Sequence, residues 1–334
     1  MKNKLFHLVL ITCGLLTGAF AAFGQEAAPT GATGAPNAPN LKYGLYIHYG
    51  IATFARPGEQ GQIPAGRFAP TALDAKAWAH AAKAAGMTFA VLTAKHESGF
   101  CLWDSPGYDY DVAQSPFKGD IIGDFIAACN AEGILPGVHY SIPDALNEGV
   151  ARGRGPVSAT YFALIKKHLT ELHTRYPGIR IQVLDLIQRL SPDQLGEIRD
   201  LIKRLNPGCV LSGGDGGPRF DADTIFNGWM WKPQARLYPV QTLFDHYSLA
   251  QQTRRPYLLN VGPDPSGRIP DDQIAMLTQL KEMIATRPLT PPPAGTPAKP
   301  SAADRLKQLK SLYDQGLINK EDYDRKTKEI IDSL

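Results

Sequence analysis

Residues 88–97 read Thr-Phe-Ala-Val-Leu-Thr-Ala-Lys-His-Glu. Thr88 to Thr93 form a short apolar run of the kind buried on both faces of a parallel sheet, and the run ends in the polar pair Lys95-His96. The same figure recurs along the chain. Leu45-Tyr46-Ile47 ends at His48, Ile134 to Val138 ends at His139-Tyr140-Ser141, and Ile181-Gln182-Val183-Leu184 ends at Asp185. Val210-Leu211 ends in glycines, and Tyr257 to Val261 ends at Gly262-Pro263. Between these runs lie helix signals: Ala75 to Ala85 closed by Gly86, Asp120 to Glu132 closed by Gly133, Tyr161 to Tyr176 closed by Pro177-Gly178, and Ser191-Pro192-Asp193 opening a helix to Leu205. Strand followed by helix, repeated, predicts an α/β fold with a parallel sheet.

An open doubly wound sheet and a closed barrel share this alternation. No Gly-x-Gly-x-x-Gly follows the first strand, which removes the dinucleotide-binding reading. Instead, His, Asp, Lys and Tyr side chains gather at the C-terminal ends of several different strands, where a (β/α)8 TIM-like barrel assembles its site.

Around the barrel, predicted for residues 41–287, the composition divides the chain. Residues 1–24 open with Lys2 and Lys4, continue in an apolar run from Leu5 to Phe23, and end in small residues, which predicts a secretory signal peptide and an exported protein. A membrane anchor is the competing reading, and the run lacks a charged downstream flank. Residues 25–40 are Ala, Pro, Gly, Thr and Asn with little to bury, a disordered spacer. Residues 288–300 contain Pro291-Pro292-Pro293 and form a Pro-rich linker. Residues 301–334 carry two amphipathic segments that predict a small two-helix hairpin. Its order resembles the short C-terminal (SHOCT) domain, which implies self-association or a protein partner. The 334 residues are 43% hydrophobic with a net charge of +3 from scattered basic residues, which argues against nucleic acid. With the leader removed, Cys101, Cys129 and Cys209 remain, an odd set in apolar surroundings that reads as buried small hydrophobes.

Asp185 has two readings from position alone: a carboxylate that attacks an anomeric carbon, or a cap of the following turn. His48, His96 and His139 end three different strands. A zinc site competes with hydrogen bonding to sugar hydroxyls, but no His-Glu-x-x-His or Cys-x-x-Cys spacing supports it, so no metal and no cofactor are assigned. Trp103, Tyr108, Tyr110, Trp229 and Trp231 fall in loop-like segments, where a ring can stack on a pyranose or simply pack the barrel. No Gly-x-Ser-x-Gly elbow is present around Ser98 or Ser141, which leaves a serine hydrolase unsupported.

Read together, Lys42-Tyr43-Gly44-Leu45-Tyr46-Ile47-His48-Tyr49-Gly50 resembles the opening of glycoside hydrolase family 29, the α-L-fucosidases. Thr93-Ala94-Lys95-His96-Glu97-Ser98-Gly99-Phe100 is similar to that family's Thr-x-Lys-His-His-Asp-Gly-Phe signature. Gly137 to Ser141, Leu184-Asp185 and Leu258 to Asp264 follow in the family's order, so the resemblance runs from Lys42 to about Ile284. It implies a retaining exo-glycosidase that acts on terminal α-L-fucose of a glycan or a similar sugar. Asp185 would be the nucleophile, and His48 and His96 would hold the sugar. His139, Tyr140, Trp103 and Trp229 complete the candidate sugar contacts.

Several positions depart from the family. Glu97 stands for the second His of the signature, Val183 for a Trp, and His139 for a Tyr. Ser212-Gly213-Gly214 replaces an Arg, with Arg219 as a displaced substitute. No Glu lies between Glu197 and Glu282, where the family's acid/base is usual. Asp215, Asp221, Asp223 and Glu97 are the local carboxylates, and Glu97, fixed beside His96, is assigned as the acid/base.

Overall fold

The computed structural model describes residues 41–59, 61–148, 155–212 and 218–289, with isolated positions between 306 and 327. The leader, the first spacer, most of the Pro-rich linker and most of the C-terminal segment lie outside the described residues, as does Asp215.

Seven parallel strands make one curled sheet: β1 (Tyr43–Ile47), β2 (Phe89–Lys95), β3 (Leu135–Ser141), β4 (Ile181–Asp185), β5 (Val210–Ser212), β6 (Asp221–Thr224) and β7 (Tyr257–Val261). Their order is β5-β4-β3-β2-β1-β7-β6, which is barrel order with an opening between β5 and β6 among the described residues. An eighth strand is not found among those residues. The β5–β6 connection, residues 213–220, is shorter than the roughly dozen residues a helical crossover needs.

The predicted helices are present as α1 (Ala75–Ala84), α2 (Ile121–Glu132), α4 (Ala159–Arg175) and α5 (Pro192–Leu205), with α3 (Ala145–Glu148), α6 (Val240–Gln252) and α7 (Asp271–Thr286) in addition. Side chains cap the predicted four: Asp74, Asp120, Ser158 and Ser191 each accept from an amide of the first turn. Gly133 ends α2 at φ 68°, the left-handed conformation that spares glycine a Cβ clash.

Strand periodicity sorts side chains into two cores. Tyr43, Leu45, Ile47, Ala90, Leu92 and Tyr257 face the helices, whereas Tyr46, Phe89, Val91, Ile181 and Leu258 fill the interior of the curled sheet. Gly44 and Gly137 also point inward. A Cβ at Gly44 would stand 2.4 Å from the Phe89 ring, so the missing side chain is what lets that ring cross the interior.

β6 is the strand that pattern reading misses. Its Asp-Ala-Asp-Thr sequence is polar because it lies at an edge of the sheet, where short length and charge discourage pairing with other chains. Cys101, Cys129 and Cys209 are free and buried, as their apolar neighbours predict.

Candidate active site

The interior parity of each strand decides which residues reach the rim. His48 continues the inward series Gly44, Tyr46; His139 continues Gly137; and Asp185 continues Ile181, Val183. By simple alternation Lys95 would join Phe89, Val91 and Thr93 inside. A register shift intervenes: Thr93 pairs with His139 but Lys95 pairs with Tyr140, so one residue of β2 is bulged. The bulge reverses the phase, turning Lys95 outward and His96 inward.

A cavity of about 390 Å³ results, at the C-terminal ends of the strands, lined among others by His48, His96, Glu97, His139, Asp185 and Trp229. The three imidazole centres lie 5.3, 5.4 and 5.6 Å apart, and the indole of Trp229 leans on His48 at 5.0 Å.

Fixed hydrogen bonds set the His48 tautomer. The carbonyl of Trp229 can only accept, so the group of Asn260 that meets it at 2.9 Å is the amide nitrogen. The Asn260 oxygen therefore faces His48 Nδ1 at 2.7 Å, and that nitrogen carries the proton. His48 Nε2 is left with its lone pair. His139 Nδ1 is bonded to the Tyr46 hydroxyl, and its Nε2 is buried with no hydrogen-bond partner.

Burial holds both His48 and His139 well below the ordinary imidazole range, with the neighbouring imidazoles adding to the effect, so both are neutral near pH 7. The Tyr46 hydroxyl is pushed well up by burial and by the Asp185 carboxylate, so it stays a neutral donor and acceptor. Asp185 accepts from the Leu186 amide at 2.9 Å, and Leu186 itself sits at φ 55°. A left-handed leucine costs about 1–2 kcal/mol, strain held directly beside the carboxylate. Among the described residues no Lys or Arg lines the cavity. Two carboxyl groups facing the neutral His48 and His139 suit a ligand that is neutral and becomes positive during reaction.

Two predicted contacts lie elsewhere. Tyr140 alternates with His139 and therefore points to the helix side, fully buried, with its hydroxyl on His168 Nδ1 at 3.0 Å. Trp103 is 1% exposed and donates its indole N–H to Glu171 at 2.9 Å, packing against His168 outside the cavity. Arg219 is exposed and does not line the cavity. On β6, Ala222 faces the cavity while Asp221 and Asp223 face away, paired with Arg255 at 3.0 Å and His246 at 2.8 Å. Of the described candidate acids, Glu97 alone reaches the cavity. Tyr46, Asn260 and Leu186 were not singled out from the sequence; Asn260, a lone amide inside the apolar run Tyr257 to Val261, was the available signal.

Residues 62–194 match the family model described as Alpha-L-fucosidase, and residues 304–330 match the Short C-terminal domain, SHOCT. A protein of Oryza sativa subsp. japonica that carries an alpha-L-fucosidase 1 name is 37% identical over 297 residues, covering 72% of this chain and 56% of that protein. Alpha-L-fucosidase 1 of Arabidopsis thaliana is 26% identical over 294 residues, covering 72% and 57%. The chain thus spans somewhat over half the length of these two relatives. Among solved structures, alpha-L-fucosidase AlfC of Lactobacillus casei superposes with a TM-score of 0.64 at 26% identity, over 73% of this chain and 96% of that one. Alpha-L-fucosidase isoenzyme 1 of Paenibacillus thiaminolyticus gives 0.65 at 25% identity, over 74% of each chain.

Proposed function

We propose that this chain is an exported retaining exo-glycosidase that hydrolyses terminal α-L-fucose, or a closely similar sugar, from glycans. The observation that carries the reading is the convergence of Asp185, Glu97, His48, His96 and Trp229 on one cavity at the strand ends. An Asp185 oxygen attacks the anomeric carbon as the glycosidic bond breaks and the departing oxygen takes the Glu97 proton. Water, deprotonated by Glu97, then attacks the same carbon and releases the Asp185 carboxylate. His48 and His139, both neutral, offer hydrogen bonds to hydroxyls without opposing the positive charge that develops on the ring. Trp229, 40% exposed, offers a face for the sugar's apolar side. The export reading rests on the sequence of residues 1–24, and the hairpin after residue 300 is read as an association module.

The Glu97 substitution, at a position where the signature has His, favours a second reading: a barrel that binds a glycan without turning it over. One experiment separates the two. Purified protein and its Asp185→Asn variant are compared on a panel of aryl glycosides including the α-L-fucoside. Loss of at least about a thousandfold in kcat on removing the nucleophile is the expected outcome. Release of free sugar undiminished in the variant would sink the mechanism, and glycan binding without release by either protein would support the non-catalytic reading.

A further inference from the structure

The three imidazoles of the cavity are close enough to share one small ligand. His48, His96 and His139 come from three different strands, and one nitrogen from each lies within 4.8 Å of the others. Imidazoles bound to a single zinc ion at about 2.0–2.1 Å, with tetrahedral angles, place their ring centres about 5.2 Å apart and their nitrogens about 3.4 Å apart. The ring centres are already at 5.3, 5.4 and 5.6 Å, close to the spacing that a shared ion requires.

Two further features point the same way. His48 is held by Asn260 with its proton on Nδ1, leaving Nε2 as a lone pair, which is how ligating histidines are commonly oriented. His139 Nε2 is buried without a partner in a side chain 2% exposed, and such an atom is costly unless something binds it. Three imidazole nitrogens and no protein sulfur suit a borderline divalent cation and leave hard cations such as magnesium unfavoured.

We propose that His48, His96 and His139 form a zinc-binding site on the cavity wall, with the fourth position open to the cavity. Ligands on three strands leave no short sequence spacing, which is why the usual motifs give no sign of it. The site is independent of the glycosidase reading: a protein without hydrolytic activity would still bind the ion. Where zinc is bound, it occupies the nitrogens that would contact sugar hydroxyls.

The test is calorimetric titration of chelator-treated, full-length protein with zinc chloride, repeated with magnesium chloride. The expected result is one zinc per chain with a dissociation constant in the micromolar range or tighter, and no magnesium binding. Cobalt(II) should bind at the same stoichiometry with the intense visible absorption of a four-coordinate ion. His96→Gln, at the cavity mouth, and His139→Phe should each weaken zinc binding by at least about tenfold. His80→Ala and His246→Ala, neither of which lines the cavity, should leave it unchanged. Circular dichroism establishes that each variant is folded, and His96→Gln carries the test alone if His139→Phe is not. Absence of zinc binding, or binding unmoved by His96→Gln but lost with the exposed histidines, overturns the proposal.

Discussion

Lys95→Met is the perturbation whose cost the structure sets most directly. The Lys95 ammonium and the Asp144 carboxylate are both fully buried and meet at 2.9 Å, on the helix side of the sheet that the β2 bulge creates. Burial pushes the Asp144 carboxyl up, but the Lys95 ammonium, the Tyr161 hydroxyl and the Asn147 amide outweigh it and hold its pKa below the usual value. Removing one partner of such a pair costs about 3–5 kcal/mol, because the other charge is left buried. Asp144 would retain the Tyr161 hydroxyl at 2.5 Å and the Asn147 amide at 2.7 Å, which places Lys95→Met near the lower end of that range, about 3 kcal/mol. Asp144→Asn leaves Lys95 with the Tyr161 hydroxyl and the Tyr140 face, and a similar loss is expected. The double variant should cost hardly more than either single one, a coupling of about 2–3 kcal/mol. Urea unfolding followed by fluorescence gives all four stabilities. Because the folded pKa of Asp144 is depressed, its contribution is present above the ordinary carboxylate pKa and lost as pH falls through the folded value. The gap between wild type and Lys95→Met should therefore narrow in acid. Single variants costing under about 1 kcal/mol, or a strictly additive double, would refute the reasoning.

Acid should also act through two histidines outside the cavity. Burial, helped by the Lys95 and Lys167 ammoniums, lowers His168 to about 3, and burial lowers His173 to about 4 against the opposing hydrogen bond it donates to Gln182. Each is bound to fewer protons folded than unfolded, so stability is full above the unfolded pKa of about 6.5 and falls as pH drops toward 4, by up to about 3 kcal/mol per histidine. His173→Gln should flatten that slope in urea titrations at pH 7, 6, 5 and 4; an unchanged slope would count against it. Trp229→Ala should weaken sugar binding about three- to tenfold by calorimetry while leaving the melting temperature near wild type, since the ring is already 40% exposed.

Much of the fold is legible in the sequence because each buried parallel strand apart from β6 is an apolar run with a polar or glycine end, and four helices advertise themselves by a closing glycine or Pro-Gly, or by an opening Ser-Pro-Asp. What escapes is whatever tertiary context inverts. Tyr140 and His139 are adjacent letters that alternation sends to opposite sides of the sheet, so they cannot both touch one ligand. Lys95 and His96 violate that same alternation through a bulge that no residue type marks. Trp103 reads as a loop aromatic, yet its N–H finds Glu171 beneath the surface. Asn260 works at a distance, through a hydrogen bond to His48 across 212 residues of sequence, which single-sequence pattern reading does not reach.

The opening between β5 and β6 bears on which group donates the proton. In a closed eight-stranded barrel the interior is filled by side chains, and rim residues from every strand compete for the site. Here the cavity lining reaches down to Ala222 and Leu258, register partners on β6 and β7, instead of ending at the rim. Among the described lining residues its ionisable groups come from β1 to β4 and the residues just after them, and the β5–β6 side contributes Ser212, Phe220 and Ala222. The carboxylates of Asp221 and Asp223 are committed to Arg255 and His246 away from the cavity. Among the described residues, an acid/base supplied from that side would require β6 to slip by one residue, which would also bury two charges and expose Ala222. Glu97 needs no such slip, because the bulge that brings His96 inward already sets the end of β2 against the cavity. In the proposed mechanism the proton donor therefore lies just past β2, beside His96 and two strands along the sheet from Asp185 on β4.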